Sequence, residues 1–158
     1  MKVEFVDPFV SAAFKVLGMV TGDAPTRGDI SLRRTPFTTQ EITIMAGVNG
    51  QVEGTALYGM SLTTAKKVAS AMMGCELETL DEMAWSALSE LGNMITGNAT
   101  TLLSQNGYEV DITPPSVIRG TDVEVSTKAA ALVVPVQLQL GCVEINVALQ
   151  EIAMRQAA

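Results

Sequence analysis

Histidine is missing from all 158 residues. Its absence removes Ser-His-Asp and Cys-His nucleophilic machinery, the usual imidazole general base and most zinc sites. Any catalysis therefore falls to carboxylates, amides or hydroxyls. Cysteine is nearly missing too. Cys75 and Cys142 are far apart and fit no CxxC spacing, so in a reduced compartment they read as small buried hydrophobes rather than a disulfide or metal pair. Charge is sparse at 17%, and the ten Lys and Arg are scattered among 17 Asp and Glu. The net charge of -7 argues against nucleic acid, whose phosphates are held by clustered cations that release counterions. No apolar run approaches the roughly 20 residues that span a bilayer, and MKVEFVDPFV has neither the basic start nor the apolar core of a signal peptide. The expected location is the cytoplasm, with no membrane contact.

What is present is a 47% apolar chain of a length that fits one domain, residues 1–158, able to bury roughly two thirds of its unfolded surface. Asp7-Pro8 reads as an N-cap followed by proline at the first helical position, where the missing N–H costs nothing. Val6, Val10, Ala13, Leu17 and Val20 recur at helical spacing, which predicts a helix over 8–20. Residues 21–36 are rich in Gly, Pro and Asp and read as a connection.

The period then changes to two. Ile42, Ile44, Ala46 and Val48 alternate with Glu41, Thr43 and Met45, and Val52, Ala56 and Tyr58 continue beyond Asn49-Gly50, a dipeptide that favours the left-handed backbone of a tight turn. Strands over 38–48 and 52–59 should pair antiparallel. Ser61 can cap a helix over 62–73 with Leu62, Ala65, Val68, Ala69 and Met72 inward and Gly74 ending it. Asp81 starts the longest helix, which should reach Asn106-Gly107 and bury Ala84, Leu88, Leu91, Ile95 and Leu102. The paired prolines of VDITPPS exclude helix, and strand patterns follow at Val123 and Val125, at 132–140 and at 143–149. Gly141-Cys142 should mark a hairpin, and Pro135, which cannot donate to a ladder, should lie at an edge or a bulge. The fold class expected is α+β, an antiparallel sheet covered by about three helices.

The long helix has an unusual outer face. With Ala84 at 0°, Ser86 falls at about 200°, Glu90 at about 240°, Asn93 at about 180° and Gly97 at about 220°, opposite the buried stripe. Glu90 is the single charged side chain between Glu82 and Glu109. A solvent face normally carries several charges, so a face of Ser, Asn, Thr and Gly around one carboxylate looks adapted to contact. Periodicity alone leaves open a merely solvated face, because polar triplets at i, i+3 and i, i+4 are common. Gly92 and Gly97 each lower helix propensity by about 1 kcal/mol relative to Ala and so ask for a reason. Helix packing suits Gly92; Gly97 fits either packing or the approach of a partner backbone. The methionines Met45, Met60, Met72, Met73, Met83 and Met94 read mostly as core filling. Glu76, Glu78, Asp81 and Glu82 crowd a helix start where the dipole favours carboxylates, and no metal site is expected there.

The run SALSELGNMITGN resembles the phosphatase helix of the CheC and CheX chemotaxis proteins, whose pattern is Asp or Ser, three residues, Glu, two residues, Asn, with a proline a little over twenty residues on. Ser86, Glu90 and Asn93 match that spacing, and Pro114 or Pro115 stands near the expected proline. GVNGQVEGTALY, VASAMMG and VDITPPSV are also similar to CheX. The resemblance implies dephosphorylation of a phosphorylated CheY-type response regulator, with Glu90 and Asn93 as the catalytic pair and Ser86 and Gly97 as partner-binding positions, Ser86 peripheral. It implies that the receiver supplies Mg2+ and that this chain holds no cofactor or metal. Two-site members repeat Glu-x-x-Asn on their first helix, which DPFVSAAFKVLGMV lacks, so one site per chain is implied, together with a homodimer formed through the sheets. A non-catalytic adaptor that binds a chemotaxis or flagellar-switch partner through the same helix, or a purely structural dimerisation domain, are the rival readings.

Overall fold

The computed structural model describes residues 2–152. Three helices lie on one face of an antiparallel sheet, in chain order α1 (Val3–Thr21), β1 (Thr26–Arg27), β2 (Ser31–Arg33), β3 (Phe37–Thr38), β4 (Ile42–Gly50), β5 (Val52–Met60), α2 (Leu62–Met73), α3 (Glu82–Gln105), β6 (Val110–Ile112), β7 (Ser116–Arg119), β8 (Glu124–Val125), β9 (Ala131–Leu138) and β10 (Gly141–Glu151). The eight-stranded sheet runs β1-β9-β10-β5-β4-β6, with β2 beside β1 on β9 and β7 beside β6 on β4. β3 and β8 form a separate ribbon.

Alternation on the central strands produces the core. Ile42, Ile44 and Val48 of β4, Ala56 and Tyr58 of β5, and Val143, Ile145 and Val147 of β10 are fully buried in one core with Leu88, Leu91 and Ile95 of α3. On the opposite face a smaller cluster of Phe37, Leu57, Ala131 and Ala148 is completed by Met45 and Val125. One polar link crosses the main core: the Tyr58 hydroxyl and Thr96 Oγ1 are 2.7 Å apart, which satisfies both groups where an unpaired hydroxyl would be costly.

α2 follows the expected boundaries. Ser61 Oγ accepts the Thr64 N–H at 3.1 Å, and Gly74 ends the helix at φ 70°. α3 starts as expected, with the Asp81 carboxylate accepting the Ala84 N–H at 2.9 Å. Near its end the buried residue is Leu103, and Leu102, expected in the buried stripe, is only half-buried.

α1 departs from expectation. It begins at Val3, its N-cap is Lys2 without a side-chain bond, and Pro8 lies inside it. An interior proline costs about 3 kcal/mol because the i−4 carbonyl loses its donor. The extra turn buries Phe5 and Val6, each worth roughly 1.5–3 kcal/mol, and that offsets the loss. Phe5 also meets Tyr108 edge to face at 5.1 Å, and Lys2 Nζ bonds Glu151 at 2.7 Å. The buried stripe accordingly includes Phe5, Phe9, Ala12 and Val16, with Val10 and Val20 only half-buried.

Three other local expectations are corrected. Asn49-Gly50 is not a left-handed pair: Asn49 is not at positive φ, and both residues extend β4 to pair with Asp111 and Val110 of β6. The last hairpin turns at Gln139 and Leu140, two residues before Cys142's partner register begins, and Gly141 already pairs with Leu138. Residues 21–36 carry the two short strands β1 and β2, so β9 is not a bare edge. Pro135 sits where that outer ladder is interrupted, between Val136, paired with Arg27, and Val133, paired with Ser31. Its carbonyl accepts the Gly28 N–H at 2.8 Å, and its missing N–H leaves no gap in a continuous ladder.

Both cysteines are free, but Cys75 is exposed and Cys142 half-buried, not core residues as expected; partial burial and the nearby Glu144 carboxylate push the Cys142 thiol pKa up. No helix among the described residues is long and apolar enough to cross a membrane.

Candidate functional site

α3 lies over β4 with its outer face beside the β6–β7 edge, and that placement builds a groove. Ser86, Ser89, Glu90 and Asn93 form one wall; Ile112, Thr113, Pro114 and Pro115 form the other. Ser86, Glu90 and Asn93 are exposed. The four ion pairs among the described residues involve other carboxylates, so Glu90 is not committed to any of those residues. A carboxylate and a neutral amide one turn apart at an open groove can each engage a visitor: the carboxylate a cationic donor, the amide oxygen a water or N–H.

Gly92 shows why α3 sits so low on the sheet. A Cβ there would lie 2.4 Å from Ile44 Cγ2 and 3.5 Å from Pro115 Cβ, so the absence of a side chain allows the helix to seat against β4 and the proline wall. Gly92→Ala is expected to lose about 3 kcal/mol to overpacking against Ile44, outweighing a gain of about 1 kcal/mol in helix propensity. Thermal unfolding should show a net fall in Tm of several degrees; an unchanged or raised Tm would refute the packing role. Gly97 differs. Nothing lies within 4 Å of a Cβ built there, and packing therefore does not require the glycine. It continues the face one turn beyond Asn93 but does not line the groove.

The sequence reading missed Ser89 of the first wall and Ile112 and Thr113 of the second. Ser89 Oγ donates to the Pro115 carbonyl at 3.4 Å, and Thr113 is tied to Gly47 by two hydrogen bonds, one to its side-chain hydroxyl and one from its backbone N–H. Proline spacing pointed to Pro114 or Pro115, and both line the groove. Ser89 could have been found from its helical phase, one turn before Asn93; Thr113 depends on a strand pairing that no local pattern states. Met83 is another exception to the core reading, being 67% exposed near the start of α3, whereas Met60 is buried and Met45, Met72, Met73 and Met94 are half-buried.

Helices over an antiparallel sheet, with an open Glu-x-x-Asn helix face, are the arrangement expected from the resemblance to CheC and CheX. A CheC-like superfamily protein from Shewanella sp. PV-4 superposes with TM-score 0.85 at 26% identity, covering 95% of this chain and 99% of that one. A CheX–CheY–BeF3–Mg2+ complex from Borrelia burgdorferi contains a chain of TM-score 0.81 and 31% identity, covering 95% of this chain and 100% of that one. The family model described as chemotaxis phosphatase CheX matches residues 42–137, and CheY-P phosphatase CheX of Thermotoga maritima is 34% identical over 139 residues, covering 87% of this chain and 90% of that protein. The chain belongs to the CheX family of chemotaxis phosphatases, and it is a phosphatase.

Proposed function

We propose that this phosphatase hydrolyses the aspartyl phosphate of a phosphorylated CheY-type response regulator, with Asn93 orienting the attacking water and Glu90 anchoring the partner. The observation that carries the reading is the exposure of Glu90 and Asn93 together at the rim of one groove, with no ion pair among the described residues holding the carboxylate. The relative from Thermotoga maritima is a CheY-P phosphatase, and the structural relative from Borrelia burgdorferi is seen with CheY, beryllofluoride and magnesium.

The chemistry fits a histidine-free chain. An aspartyl phosphate is an activated acyl phosphate, so its hydrolysis needs a water in line with phosphorus more than it needs a strong base. The water oxygen bonds to phosphorus as the bond to the aspartate oxygen breaks, the carboxylate keeps the electron pair, and the water proton is lost to solvent. The Asn93 carbonyl accepts a hydrogen bond from that water without placing a second negative charge beside the phosphoryl group. Glu90, one turn earlier, forms a charge-assisted contact with a cationic side chain of the receiver. Ser86 borders the same contact, and Gly97 leaves room for the receiver backbone. Mg2+ belongs to the receiver, where it neutralises phosphoryl charge; this chain holds no cofactor of its own. The reading carries with it the homodimer expected for a CheX-like chain.

The test is phosphate loss from a CheY-type receiver charged with labelled phosphate. Substoichiometric amounts of this protein should accelerate the loss by about 10²-fold, the scale of a well-oriented nucleophile, and chelating Mg2+ should suppress it. No acceleration of any CheY-type receiver with Mg2+ present would refute the reading.

A further inference from the structure

The second wall of the groove is a β-bulge, and one hydroxyl holds it in place. On β4, Val48 pairs with Ile112 of β6, while Met45 pairs with Ser116 of β7. Between these pairs two residues, Ala46 and Gly47, oppose three, Thr113, Pro114 and Pro115. The extra residue forces the chain out of the sheet plane, and the two prolines, lacking N–H groups, cannot rejoin the ladder. A bulge next to a site re-aims the residues it carries.

The bulge is locked at its first residue. Thr113 Oγ1 accepts the Gly47 N–H at 2.8 Å, and the Thr113 N–H donates to the Gly47 carbonyl at 2.9 Å. Gly47 fits this role because a Cβ there would come within 2.9 Å of Thr113 Oγ1 and 3.1 Å of its Cγ2. At the other end, Pro115 is seated against α3 by Ser89 and by the space that Gly92 leaves. Thr113 is exposed and contributes nothing to the core, so its side chain has no packing duty that would explain the lock.

We propose that Thr113 is a positioning residue for partner docking: by bonding the Gly47 N–H it fixes the Pro114–Pro115 wall at the height at which the groove admits the receiver. The proposal rests on the receiver-phosphatase reading of the same groove. It assigns Thr113 to the docking step and not to the chemistry, because Asn93 is carried by α3, which the buried side chains of Leu88, Leu91 and Ile95 hold in the main core.

The experiment measures KM and kcat for phosphate release from a phosphorylated CheY-type receiver, with Tm recorded in parallel. Thr113→Val keeps the shape and removes the acceptor. KM should rise about tenfold, the scale of one lost hydrogen bond, while kcat stays within about twofold. Thr113→Ser, which keeps the hydroxyl, should restore KM. Gly47→Ala, whose methyl displaces the same hydroxyl, should reproduce the Thr113→Val split and serves as the test if that variant does not fold. An unchanged KM, a fall confined to kcat, or failure of Thr113→Ser to restore KM would overturn the proposal. Asn93→Ala separates the two ideas: full activity in that variant refutes the site reading itself, whereas its inactivity beside an unmoved KM in Thr113→Val refutes the lock alone.

Discussion

Asn93→Ala is expected to abolish acceleration of receiver dephosphorylation, with kcat falling about 10²-fold or more, to the receiver's own rate. The side chain is exposed at the groove rim, and its replacement removes no core contact, so circular dichroism and Tm should stay close to those of the parent. Binding of a beryllofluoride-charged receiver should persist, because in its proposed role the amide holds a water and not the partner. Asn93→Asp is the sharper comparison. It retains an oxygen that could orient water, but adds a negative charge beside the phosphoryl oxygens, and at an effective dielectric near 20 two charges about 4 Å apart repel by roughly 4 kcal/mol. It should therefore be slow as well. Undiminished turnover in Asn93→Ala would end the mechanism.

The second large effect is on affinity. Glu90→Ala should raise the Kd for the beryllofluoride-charged receiver roughly thirtyfold, the cost of leaving a desolvated cation without its partner. Glu90→Gln should lie between the parent and the alanine variant, retaining a hydrogen-bond acceptor without charge. The loss should appear mainly as faster dissociation, and the parent's affinity should weaken as salt rises. Titration of the receiver against each variant reads this directly. A Glu90→Ala variant with parental Kd and reduced kcat would instead make the carboxylate part of the chemistry.

The two effects differ in kind because the residues differ in what they can do. In the proposed roles, one turn of helix separates a charged anchor, Glu90, from a neutral amide, Asn93, at the spacing found in SALSELGNMITGN. That part of the site was legible in the sequence, since helical phase is local: Glu90 and Asn93 fall opposite Leu88, Leu91 and Ile95 whatever the rest of the chain does. The capped ends of α2 and the start of α3 were legible for the same reason, because Ser61, Gly74 and Asp81 act on backbone groups within a few residues.

Other features lay beyond local rules. Asp7-Pro8 has a proper helix-start signature, yet α1 begins earlier, because Phe5 finds the core and Tyr108 only after α1 packs on α3. Asn49-Gly50 has the hairpin signature, yet those residues extend β4 because β6 arrives alongside; a Cβ at Gly50 would lie 2.5 Å from the Glu109 carbonyl oxygen. Pro135 signalled a ladder defect correctly, but only β1 and β2 determine that the defect is a gap between two short strands and not a free edge.

By itself the sequence determined the helix that carries the site, the outward phase of Glu90 and Asn93 on it, and the exclusion of imidazole chemistry, since each follows from residue type and from periodicity over a few turns. Only the tertiary structure decided that those side chains border a groove. Its other wall, residues 112–115, comes from a bulged strand pairing with β4 more than sixty residues earlier in the chain, and such a contact is settled by the packing of the whole sheet and not by any short stretch of sequence.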